Sequence, residues 1–133
     1  MATDYHVELG FPDVEKPTGI YDVEATQHAK QESNNDRYGG FNLPTRINLT
    51  EEMYKRDPKE ATGDECGEQT IPHVFEITVE HGGVVKLGAR THYDDERDIV
   101  LIIKPDENLL KTAWINVKGD AHHTLDEDKY ATP

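Results

Sequence analysis

The chain is short of the residues that most often carry chemistry or cross-link a fold. Cys66 is its only cysteine, so no intrachain disulfide can form, and the composition suits a reducing compartment. That thiol lies in "GDECGE", where neighbouring carboxylates disfavour the thiolate, and it reads as an incidental loop residue. Ser33 is the only serine, within helical text, which leaves no strained elbow for a serine nucleophile. No apolar run reaches membrane-spanning length. The opening text "MATDYHVELG" has neither the basic nor the apolar region of a signal peptide. The expected location is therefore the cytoplasm.

Positive charge is also scarce. Fourteen Lys and Arg stand against 27 Asp and Glu, a net charge of −13. Up to Glu80 there are seven cationic residues against seventeen acidic ones, and beyond it seven against ten, so the excess sits in the N-terminal part. Such a chain repels a polyanion at long range, which excludes a nucleic-acid binder with a broad basic surface but leaves room for a small local site. Acidity also serves solubility alone, and the short runs "DDERD", "DEDK" and "GDECGE" are too interrupted by bases for good nucleic-acid mimicry. An apolar fraction of 35% and a mean hydropathy of −0.80 point to one modest core with much loop around it.

What is present sharpens along the chain. Residues 1–21 carry Gly10, Pro12, Pro17 and Gly19, spaced so that no helix persists, and read as an extended arm. Residues 22–39 read as a helix beginning at about Asp22 or Thr26 and ending at Tyr38, with Gly39 placed to stop it. Residues 40–72 form a long irregular loop with one possible turn at "TEEMYKR", and loops of that length are usually functional or bound to a partner. Within 73–117, "VFEITVE", "VVKLGARTHY", "DIVLII" and "LLKTAWINV" are four strands separated by "HGG", "DDER" and "KPDEN". Turns so short require antiparallel pairing. Residues 118–133 are a polar tail in which Thr124 and Glu127 form a capping-box text. The expected fold is one α+β domain, a main helix packed on a four-stranded antiparallel meander.

Seven histidines invite a metal, yet no CxxC or HExxH spacing exists. His122 and His123 are adjacent and diverge on an extended chain, and the helical spacing of His28 and Glu32 is common by chance. No metal and no cofactor is expected. "HGGVV" is a hairpin turn and not a strand-to-helix phosphate loop. The candidate chemistry lies on the second strand, where Lys86, Arg90 and His92 share one face by strand alternation, with Thr112, Trp114 and Asn116 matching them on the fourth. Imidazole as acid or base, with Lys and Arg to neutralise a phosphate, is the minimum for metal-independent cleavage of RNA through its 2′-hydroxyl. Trp114 would stack a base. A polar strand face is equally the ordinary wet side of an antiparallel sheet.

The helical text "TQHAKQESNNDRYG", followed by a meander with a basic second strand and a last strand reading "LLKTAWINV", resembles the small ribonuclease-toxin fold of barnase, EndoU, colicin-type tRNases and RelE. The C-terminal text is also similar to small tailed-bacteriophage proteins ending in "KTAWIN…TLD…Y". The resemblance spans roughly Thr26 to Tyr130, excluding the long central loop. It implies His28 and Arg37 from the helix and Arg90 and His92 from the strand as catalytic groups. It also implies a polar group near Asn116 or His122, which joins Lys86 and Trp114 of the strand reading as substrate contacts, with RNA as the ligand. The acidic arm and long loop support a different class: a non-catalytic virion or assembly component, or an effector that binds a host protein. Extended segments order at low cost only against a neighbour.

Overall fold

The structure is a computed structural model, and it describes residues 3–6, 11–34, 40–54 and 69–117. Its centre is four long strands: β6 (His73–Glu80), β7 (Gly83–His92), β8 (Arg97–Lys104) and β9 (Leu109–Val117), each antiparallel to the next. Local turn chemistry joins them. His81 and Gly82 both have positive φ, 54° and 79°, the backbone pattern of a tight two-residue hairpin whose twist matches that of its strands. At the β7–β8 turn the Asp94 carboxylate accepts the backbone N–H groups of Glu96 and Arg97 at 2.9 and 2.7 Å. Asn108 takes a φ of 54° at the entrance to β9.

The expected architecture, one main helix on a four-stranded meander, is overturned. With β1 (Thr3–His6) and β3 (Glu24–Ala25) added, the main sheet has six strands, ordered β1-β6-β7-β8-β9-β3, and a second sheet has three, β2 (Gly19–Asp22), β4 (Arg46–Leu49) and β5 (Gln69–Thr70), ordered β2-β4-β5. The additions come from stretches that read as arm, helix and loop. Strand β1 (Thr3–His6) pairs antiparallel with β6. Strand β2 (Gly19–Asp22) pairs antiparallel with β4 (Arg46–Leu49), which runs parallel to β5 (Gln69–Thr70). The two-residue β3 (Glu24–Ala25) lies parallel to β9, so the main sheet is mixed.

The helix starts later than the expected residue 22, and residues 35–39 of the expected span 22–39 lie outside the described residues. Helix α1 spans Gln27–Asn34, and the text before it is held in strands. The N–H groups of Glu24 and Thr26 donate to the carbonyls of Asn108 and Leu110, at 2.9 and 3.0 Å. Those bonds tie the segment to the start of the β9 edge, and a short polar segment with weak helical preference follows the edge that captures it. Thr26 then caps the helix, its Oγ1 accepting the Ala29 N–H at 3.1 Å.

One core closes the fold. Ile77, Leu87, Ala89, Ile99, Leu101, Ile103, Ala113 and Ile115 line one face of the main sheet. Ala29 of α1, Ile47 and Leu49 of β4, and Met53 and Tyr54 of a short 3-10 helix (Glu51–Tyr54) cover it. Among the described residues no helix is long and apolar enough to cross a membrane.

Candidate functional site

Alternation along β7 places Leu87, Ala89 and Thr91 toward the core and Lys86, Arg90 and His92 on the opposite face. That opposite face is not wet. Arg90 is 5% exposed and Asp98 1%, and the Arg90 guanidinium donates from Nη1 to Asp98 Oδ2 at 3.3 Å. The two residues are diagonal neighbours: Arg90 stands opposite Val100, and Asp98 opposite His92. The guanidinium also lies 5.7 Å from the centre of the Phe75 ring. Val100 is fully buried between Arg90 and Trp114, its register partners on either side. A stripe of Phe75, Arg90, Val100 and Trp114 thus crosses four strands as a second packed layer, and it holds the cation that was to meet a phosphate.

The other predicted residues divide. Lys86 is half-buried, lies opposite Thr78, and makes no ion pair among the described residues. His92 is half-buried at the far end of the same row, and Trp114 is half-buried on β9. His28 is brought nowhere near them. It sits on α1, which packs through the buried Ala29 on the core face, and its exposed imidazole bonds Glu32 one helical turn away, Nε2 to Oε1 at 2.6 Å. The imidazole of the helix and the basic row of β7 are therefore separated by the sheet and its core. Arg37, His122 and the side chain of Asn116 lie outside the described residues. Among the described residues no three His, Cys, Asp or Glu side chains gather as a metal site.

Two features escaped the sequence. The first is Asp98, the partner of Arg90. A count across the "YDDERD" turn would have found it, because the hairpin brings positions 90 and 98 to diagonal contact. The second is a cleft of about 540 Å³ lined by Phe11, Asp13, Val14, Glu15, Lys16, Thr18, Glu51 and Tyr54. It unites the arm with the long loop, two segments whose text gave no sign that they meet. Phe11 and Tyr54 pack edge to face, 6.4 Å apart. The Tyr54 hydroxyl donates to the Pro17 carbonyl, and burial, with the nearby Tyr21, drives its pKa well above the usual phenolic value.

No protein-family model, curated protein or solved structure matches this chain.

Proposed function

We propose that this chain is a non-catalytic protein-binding component, of the kind found in a tailed-phage virion or as an effector on a host protein. The observation that carries the reading is the buried Arg90–Asp98 pair. Cleavage through a 2′-hydroxyl needs an acid, a base and a cation within reach of one phosphate. Here the cation faces a carboxylate inside a packed layer, and the helical imidazole sits across the sheet. A net charge of −13 favours a basic protein surface over RNA as a partner.

The phage assignment rests on the C-terminal text alone. The test of the binding reading is a titration of the labelled protein with a short single-stranded RNA, followed through backbone amide shifts. Shifts at Lys86, Arg90 and His92 should stay within noise at millimolar RNA. Saturable shifts confined to those three positions contradict the reading.

A further inference from the structure

The geometry points to the cleft between residues 11–18 and the 3-10 helix as the docking site for an extended, basic segment of a partner protein, which pairs along β2 and places an arginine or lysine side chain in the cleft. This deepens the protein-binding reading and rests on it.

The first observation is the form of the cleft. Its inner wall is aromatic, made by Phe11 and the buried Tyr54, and its rim carries the exposed carboxylates of Asp13, Glu15 and Glu51. Lys16, the one cation in the lining among the described residues, is turned back on its own loop, donating from Nζ to the carbonyls of Pro12 and Val14 at 2.9 and 3.1 Å. Those bonds, with the Val14 N–H to Pro12 carbonyl bond at 2.9 Å, hold the loop in a hook. The wall is thus shaped before a ligand arrives, which lowers the cost of binding. An aromatic wall under a carboxylate rim suits a side chain with a long apolar stem and a cationic head.

The second observation is independent of charge. Thr18 lines the cleft, and the next residue begins β2, which is an edge of the three-stranded sheet among the described residues. Strand β2 bonds to β4 on one side, and its Ile20 is 59% exposed, the one large hydrophobic so exposed among the described residues. An incoming strand would gain main-chain hydrogen bonds along Gly19–Asp22 and cover Ile20, while the side chain nearest Thr18 enters the cleft. Edge strands elsewhere are guarded by charge, and an exposed isoleucine on one is the opposite.

The test uses the full chain, isotope-labelled, and two capped six-residue peptides of alternating valine and threonine. One peptide has a central arginine and the other a glutamate in its place. The arginine peptide should shift the amides of 11–22 and 51–54 saturably, and the glutamate peptide should leave them unmoved. Asp13→Asn combined with Glu51→Gln, both at exposed positions, should weaken the arginine peptide about tenfold. Ile20→Ser should weaken it as well. Equal shifts from both peptides, unchanged affinity in the double variant, shifts confined to β9, or no shift at millimolar peptide each overturn the site. Shifts at β9 alone would sink the cleft and leave the protein-binding reading standing, whereas RNA cleavage by the chain would remove that reading whatever the peptides do.

Discussion

Arg90 and Asp98 face each other across β7 and β8 with 3.3 Å between Nη1 and Oδ2 and almost no water on either side chain. A buried pair of this kind gains little over a well-packed apolar pair, but each partner is indispensable to the other. Asp98→Ala leaves a guanidinium buried without its carboxylate, and Arg90→Ala leaves the reverse and strips a cation from the Phe75 ring. Each single variant should lose about 3–5 kcal/mol of unfolding free energy in urea. Arg90→Met with Asp98→Leu should recover most of that loss, to within about 1–2 kcal/mol of the native chain. Additive losses in the double variant would show that the two residues act independently.

Gly88 tests the same layer by steric means. A Cβ at this position would stand 3.0 Å from Phe75 Cζ and 3.2 Å from Glu76 Cβ. Phe75 is 3% exposed and the Glu76 Cβ is fixed to the backbone of a paired strand, so the neighbours have little room to yield. Gly88→Ala should cost about 1–3 kcal/mol, read from the urea midpoint. Gly83→Ala is the control, because the nearest atom to its Cβ is the Glu80 carbonyl oxygen at 4.0 Å. It should stay within about 0.5 kcal/mol.

Asp94 gives the β7–β8 turn a pH dependence of definite sign. The Arg97 guanidinium, reinforced by the N–H groups of Glu96 and Arg97, holds its carboxyl below the usual carboxylate range. A depressed carboxyl contributes stability that is present above its unfolded pKa of about 3.9 and is lost as pH falls through the folded value. Thermal midpoints taken from pH 5 to pH 2 should therefore fall less steeply for Asp94→Asn than for the native chain. Parallel acid limbs would show that the carboxylate does not couple to folding.

These relationships explain how far the text could be read. The hairpins were legible because their information is local: "HGG" supplies two positive-φ positions, and Asp94 binds its own turn. The alternation of β7 was legible for the same reason, and it assigned Arg90 to the face opposite Ala89. What the alternation could not say was whether that face is open. Its burial depends on Phe75, Val100 and Trp114 on three other strands, which is long-range information. The edge strands were harder still. Thr3–His6 and Glu24–Ala25 are short and mostly polar, and they pair because β6 and β9 offer unsatisfied backbone, not because their own side chains demand it. The cleft depends on Tyr54 reaching the Pro17 carbonyl, a contact 37 residues apart that no pattern in either segment announces.

The most direct test of the whole account is an assay of purified protein on a mixed-sequence single-stranded RNA between pH 5 and pH 8, beside the variant His92→Ala with Lys86→Ala. Both chains should leave the RNA intact at protein excess, because the helical imidazole and the β7 cations cannot reach one phosphate. Cleavage by the native chain that disappears in the variant would contradict the account, and would show that the face closed by Arg90 and Asp98 opens to substrate.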